Sequence, residues 1–231
     1  MKDDIQIVKR HEHKYYINYA EYYYLKQLLQ TIMEPDLYAK ENGEYYIRSL
    51  YFDSVDNTDY YTKLAGIENR KKVRLRIYDL DTDKVKLEVK NRFNTSMSKE
   101  SLTISRDEAL KMIGTDASFL DKYSEKPAIR VKNYMINHLY SPKVIVDYER
   151  EAFVDNGLGV RVTFDKNIRC AYSDNMFDKT LGLIPVFRDP VMILEIKFNR
   201  VLPDYIRDVI CTGRALNSSI SKYCMARGLV G

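Results

Sequence analysis

The sequence has no tryptophan and only three cysteines, six prolines and nine glycines in 231 residues. So little proline and glycine excludes a collagen-like or low-complexity chain. Cys170, Cys211 and Cys224 are odd in number and far apart, with no Cys-x-x-Cys pair. They make neither a disulfide framework nor a zinc knuckle, which fits a reducing compartment. No apolar run approaches the roughly 20 residues of a membrane helix. The first residues, MKDDIQIVKRHEHK, lack the apolar core of a signal peptide. A cytoplasmic protein without a membrane segment is the expectation. A large excess of one charge is missing too: 37 Lys and Arg face 33 Asp and Glu. That excludes a globally basic nucleic-acid binder, and no nucleic-acid partner is expected. A G-x-x-x-x-G-K-[ST] loop is absent, and Gly157-x-Gly159 lacks the third glycine of a dinucleotide loop.

What the chain does have is tyrosine, 20 residues of it, and strict alternation. In 70–79, RKKVRLRIYD, one strand face carries Val73, Leu75 and Ile77 and the other Lys72, Arg74, Arg76 and Tyr78. In 84–91, Val85, Leu87 and Val89 oppose Lys84, Lys86, Glu88 and Lys90. In 158–165, Val160, Val162 and Phe164 oppose Arg161, Thr163 and Asp165; in 191–198, Leu194, Ile196 and Phe198 oppose Glu195 and Lys197. In 143–151, Val144 and Val146 lead to Tyr148 and Arg150 beside Asp147 and Glu149. Further strands are predicted at 7–17, 45–53 (with Arg48) and 96–104 (with Ser98 and Lys99), bounded by turn signals such as Asn42-Gly43. The total is about eight strands.

Helical spacing appears at 19–33, where Tyr22, Leu25, Leu28, Leu29 and Ile32 make an apolar stripe. A short helix is predicted near Asp56, and another after Ser105 as N-cap. A third spans 127–139 with Pro127 in its first turn, and the last two cover 203–212 and 219–227. Residues 166–190 read as a long connection with one helix. No repeat or linker divides the chain, so one domain over 1–231 is expected.

A polar strand face usually points at water. Here several strands place Lys or Arg at successive positions of one face and reserve the other for aliphatics. In a barrel with helices outside, the aliphatic faces would pack under the helices and the basic faces would line the lumen. Crowded cations without counter-charge are prohibitive, so such a lumen implies a polyanionic, phosphate-rich guest.

The ordered segments HEHKYY (11–16), RSLYFD (48–53), RLRIY (74–78), EVK (88–90), DYER (147–150), LEIK (194–197) and SKY (221–223) resemble the vacuolar transporter chaperone (VTC) domain. This is the polyphosphate polymerase branch of the CYTH, or triphosphate tunnel metalloenzyme, superfamily. The resemblance spans residues 8–227. It implies an α+β fold with an eight-stranded antiparallel β-barrel and helices outside. It implies ATP and polyphosphate as partners and Mn²⁺ or Mg²⁺ as cofactor. Lys14, Arg48, Arg74, Arg76 and Lys90 match triphosphate-contacting cations, and Lys99 a further basic position. Tyr148 and Arg150 match a phosphate-contacting Tyr-x-Arg pair, and Arg161 another phosphate-binding arginine. Glu195 matches the metal-coordinating glutamate, with Lys197 beside it on the same face, and Glu12 and Glu88 are further acids on the metal side. Ser221 and Lys222 match a Ser-Lys pair at the start of the last helix. Catalytic contacts are implied for Arg74, Arg76, Lys90 and Lys222.

Two positions depart from the pattern. The Glu-x-Glu-x-Lys of hydrolytic relatives reads Arg10-x-Glu12-x-Lys14, which removes one metal ligand and favours the polymerase branch over a triphosphatase. Ser219 stands where related polymerases carry lysine, which weakens the grip on a long chain. A triphosphatase and a non-catalytic polyphosphate or inositol-phosphate binding module are the alternatives; the module needs the cations but not Glu195. His11 and His13 could ligate a metal but lack a third ligand. His138 and Cys224 read as packing residues, and the tyrosines of 15–24 as core packing rather than a base-stacking platform. Because same-face neighbours on a strand do not touch closely, Glu195 is expected to hold a metal rather than Lys197.

Overall fold

The alternating segments become strands. The computed structural model describes residues 10–39, 43–94, 96–199, 201–211 and 219–230. Strand β1 (Arg10–Asn18) leads into helix α1 (Tyr19–Ile32) and the short strand β2 (Glu34–Pro35). Next come β3 (Glu44–Asp53), α2 (Thr58–Leu64), β4 (Arg70–Ile77), β5 (Lys84–Phe93), β6 (Ser96–Ser105) and α3 (Arg106–Ile113). A 3₁₀ helix (Ser118–Lys122) precedes α4 (Lys126–His138), followed by the long strands β7 (Ser141–Asp155) and β8 (Val160–Ala171). The chain continues through β9 (Ile184–Pro185), β10 (Val191–Asn199), α5 (Asp204–Cys211) and α6 (Lys222–Val230).

The eight longer strands hydrogen-bond in the order β1-β10-β8-β7-β3-β4-β5-β6, with β2 beside β7 and β9 beside β8. The α+β class and the antiparallel sheet are as expected. Among the described residues the pairing path ends at β1 and β6, and no pairing of these two strands closes the predicted barrel. Both end strands, RHEHKYYIN and SMSKESLTIS, are rich in polar and charged residues, a composition that discourages further pairing.

Two compact units divide the chain: 1–45, 149–167 and 187–220 form the first, and 46–148, 168–186 and 221–231 the second. Each has its own apolar core. In the first, Val160, Val162 and Phe164 of β8 and Leu194, Ile196 and Phe198 of β10 pack with Tyr22, Leu25 and Leu29 of α1 and Ile206 and Ile210 of α5. In the second, Val73, Leu75 and Ile77 of β4 and Val85, Leu87 and Val89 of β5 lie under Ala109 and Met112 of α3 and Ala128, Val131 and Met135 of α4. These six strand side chains are fully buried, and each such burial contributes about 1.5–3 kcal/mol. The aliphatic faces are therefore the ones covered by helices, as predicted.

Local signals explain the helix starts. Asn18 caps α1: its side chain accepts from Glu21 N, and the Glu21 carboxylate accepts from Asn18 N. The buried stripe of α1 runs Tyr22, Leu25, Leu29 and Met33, while Ile32 is 37 % exposed; spacings of three, four and four track the 3.6-residue turn better than the predicted set. Asp53 caps α2 from a distance, accepting from Asp59 N and Tyr60 N. Ser105 and Glu108 form the expected cap of α3.

Glu108 also takes Lys122 and the Tyr123 hydroxyl. Burial alone would raise its pKa, but Lys122, Ser105 and Tyr123 hold it down at about 2. A depressed carboxylate stabilises the fold above its unfolded value, about 4.3, and that contribution disappears as pH falls towards the folded value. Thermal melts between pH 5 and 2 should therefore show a steeper loss in the native chain than in Glu108→Gln; parallel curves would contradict the assignment.

Several boundaries differ from the sequence reading. β8 runs on to Ala171 through the stretch read as a connection, with Ile168 and Cys170 buried. Asn167, at φ 50°, interrupts the alternation there and hides the continuing strand. No helix occurs between 166 and 190. β7 extends to both sides of the predicted 143–151, and α6 starts at Lys222 rather than 219. Residues 7–9, Asn42 and residue 212 of the predicted segments lie outside the described residues; Gly43 has φ +79°. Among the described residues no helix is long and apolar enough to cross a membrane.

Candidate functional site

Each unit gathers its own cluster of charge. In the first, the antiparallel register of β1 and β10 sets Glu12 opposite Lys197 and Lys14 opposite Glu195. Lys14 Nζ lies 3.2 Å from Glu12 and 3.3 Å from Glu195. Lys197 Nζ contacts the other Glu195 oxygen directly and stands 3.7 Å from Glu12. Burial opposes the charge on Lys14, but Glu195 and Glu12 outweigh it and raise its pKa. For Lys197 burial prevails, reinforced by Arg150, and its pKa is lowered despite the same two carboxylates. The expectation that Glu195 and Lys197 do not touch is thus overturned. Their Cα atoms are two residues apart, but the long flexible lysine stem closes the gap.

Arg150 and Arg161 lie in this unit and are held by acids. Arg150 makes a bidentate pair with Asp165, at 2.5 Å from Nε and 2.8 Å from Nη2. Arg161 pairs with Asp36 and donates to the Tyr45 hydroxyl at 2.8 Å.

The second unit holds the denser cluster. Glu88, 3 % exposed, receives Arg74 Nε at 2.7 Å, Arg76 at 3.7 Å and Lys99 in close contact. Burial would raise the Glu88 pKa; Arg74, Arg76 and Lys99 hold it well below the carboxylate range. One carboxylate thus faces three cations. Strand register adds a row of like charge, with Lys72 opposite Lys90 and Lys90 opposite Lys99. Like charges directly opposite each other destabilise a sheet. Tyr51 accepts from Arg74 Nη1 at 3.0 Å. Although burial should raise its pKa, Arg74, Arg76 and Lys222 lower it. Tyr148 accepts from Arg76 at 3.5 Å, and Lys222 Nζ lies 4.8 Å from the Tyr148 ring centroid. Ser221 Oγ accepts from Lys72 Nζ at 2.7 Å. Arg48 pairs with Asp147 at 3.1 Å and donates to the Asp178 carbonyl at 2.7 Å.

The basic faces therefore carry acidic partners of their own. Asp147, Glu88, Asp165, Asp36, Glu12 and Glu195 neutralise part of the basic faces, and the surplus is concentrated around Glu88. Of these acids, Asp36 was not singled out beforehand, because its pairing with Arg161 joins residues 125 positions apart. Lys72 is among the basic-face residues expected from the alternation of 70–79, whereas nothing in the sequence pattern marks Tyr51 as a partner of Arg74. The side chain of Arg10 lies outside the described residues, and Ser219 is exposed two residues before Ser221.

Among the described residues no three His, Cys, Asp or Glu side chains gather into a metal cage. The carboxylates of Glu12 and Glu195 still fit Mg²⁺ or Mn²⁺, hard ions that take one or two carboxylates together with phosphate oxygens. His11 stacks on Phe198 and His13 meets the same ring edge-on, so both are packing residues. Tyr22 is buried edge-on against Phe164, but Tyr16, Tyr19, Tyr23 and Tyr24 are exposed, so core packing holds for Tyr22 and not for those four. Burial pushes the Cys170 thiol up, away from thiolate chemistry.

A family model described as "VTC domain" matches residues 9–230. A search of curated proteins gave no significant match. Among solved structures, a candidate adenylyl cyclase from Hippeastrum, described as having a dominant triphosphatase activity, superposes with a TM-score of 0.53. It is 14% identical, and the match covers 95% of each chain. A candidate adenylate cyclase from Bacillus halodurans gives a TM-score of 0.50 at 15% identity, covering 87% of this chain and 85% of the other. At such identities the likeness is one of fold.

Proposed function

The chain belongs to the VTC domain family, and from that premise we propose that it is a polyphosphate polymerase-like phosphotransferase. It moves the γ-phosphate of ATP onto a growing polyphosphate chain. The observation that carries the reading is the surplus of cations around Glu88, with the Lys72-Lys90-Lys99 row beside it. Such a row is stabilised by a multiply charged anion with little apolar surface, which describes a chain of phosphates. Arg74, Arg76, Lys90 and Lys222 are the proposed catalytic contacts. Lys14, Arg48, Lys99, Tyr148, Arg150, Arg161, Lys197 and Ser221 are proposed to hold phosphates. The carboxylates on Arg48, Arg150 and Arg161 fix guanidinium groups that carry five donors each, so these forks are oriented before the ligand arrives.

In the transfer step a terminal phosphate oxygen of the acceptor bonds to the γ-phosphorus, and the bond to the β,γ-bridging oxygen breaks to release ADP. The attacking oxygen is already anionic, so no general base is required. Cations positioned on the equatorial oxygens carry the acceleration. A divalent ion at Glu195 and Glu12 would supply further neutralisation of phosphate oxygens. With water as acceptor the same residues would act as a triphosphatase, the activity described for the Hippeastrum protein.

Purified protein given ATP and Mn²⁺ should yield polyphosphate, resolved from free phosphate by gel electrophoresis. Free phosphate alone would replace polymerase by hydrolase, and no ATP consumption with Mn²⁺ or Mg²⁺ would favour a binding module. Tripolyphosphate should compete with ATP and adenosine should not, and affinity should fall steeply with added salt.

A further inference from the structure

The Ser221-Lys222-Tyr223 motif contains one residue to which phosphate handling assigns nothing. Tyr223 is 1 % exposed. Its hydroxyl donates to Asp53 Oδ2 at 2.6 Å, a short charge-assisted bond. Burial and the Asp53 carboxylate push the phenol pKa well up, so it remains a donor. Its ring stacks on Tyr51, with centroids 5.2 Å apart and 27° between the planes. Asp53 is itself fixed: Oδ1 accepts from Ser54 N at 2.8 Å and Asp59 N at 2.9 Å, and Oδ2 from Tyr60 N at 2.9 Å. One carboxylate therefore ties the start of α2 to the first turn of α6. That same turn carries Lys222, over the Tyr148 ring, and follows Ser221, which accepts from Lys72 and from Cys224 N.

We infer that Tyr223 is a positioning residue: anchored on Asp53, it sets the first turn of α6 so that Lys222 and Ser221 meet the phosphate chain. The inference rests on the phosphate-handling reading above. A tyrosine suits this task because two torsions define it, and a bond at its far end locks both.

The test is calorimetric titration of tripolyphosphate into the native chain, Tyr223→Phe, Lys222→Ala and the double variant. Tyr140→Phe is the matched control, because Tyr140 is also buried and donates to a buried carboxylate, Asp59 Oδ2, at 2.7 Å. Tyr223→Phe keeps the stacked ring and should weaken affinity about tenfold, in line with loss of one hydrogen bond to a charged group. In the Lys222→Ala background the same change should alter affinity less than twofold, since the residue acts through Lys222. Tyr140→Phe should lower the melting temperature comparably and leave affinity unchanged. Native affinity in Tyr223→Phe, an equal loss in both backgrounds, or an equal loss in Tyr140→Phe would each overturn the inference while the phosphate reading stands. A native chain that does not bind tripolyphosphate would overturn both. If Tyr223→Phe does not fold, Asp53→Asn weakens the same bond and is judged by the same criteria.

Discussion

Glu195→Gln is expected to reduce metal-dependent turnover at least 10²–10³-fold, the usual cost of losing one transition-state electrostatic contact. The substitution keeps shape and removes a charge from a cluster of two carboxylates and two lysines. Metal affinity should fall because one of two hard oxygen donors becomes a neutral amide. Binding of tripolyphosphate without metal should survive or tighten, since Lys14 and Lys197 are then balanced mainly by Glu12. Calorimetry without metal, beside turnover with Mn²⁺, separates these effects. Turnover within a few-fold of the native chain would show that Glu195 does not carry the metal.

Arg150→Ala should act chiefly on stability. Asp165 is 0 % exposed and takes both Nε and Nη2 of Arg150. Removing one side of a buried, bidentate ion pair costs about 3–5 kcal/mol, because the remaining carboxylate keeps its desolvation penalty. The urea midpoint should drop accordingly. Arg150→Lys should recover only part of the loss, since an ammonium cannot match both carboxylate oxygens in a fork. A change below about 1 kcal/mol would mean that neighbouring groups accommodate Asp165 without the arginine.

These two residues mark how far the site was legible beforehand. Glu195 and Arg150 both stand in segments that resemble the family, and both occupy polar positions of alternating strands. Their partners were harder to see. Lys14 and Glu195 are 181 residues apart in sequence and become opposite only through the register of β1 on β10. Likewise the Lys72-Lys90-Lys99 row exists only because β4, β5 and β6 pair in one particular register; a slip of one residue would send each lysine to the other face. Glu88 was read as an acid near a metal, whereas the fold makes it the shared partner of Arg74, Arg76 and Lys99.

The sequence by itself determined where most strands and helices lie, which strand faces carry the aliphatic side chains, and that basic side chains concentrate on the opposite faces. Those properties follow from period-two and period-3.6 patterns and from caps such as Ser105 and Glu108, all of them local. Strand order, the extension of β8 past Asn167, and the matching of each cation to its acid were decided only by the tertiary structure. Asp36 with Arg161, Asp147 with Arg48 and Asp53 with Tyr223 are separated by 99 to 170 residues. Charge balance is a property of distance in space, and it becomes defined only when the sheet brings those residues together.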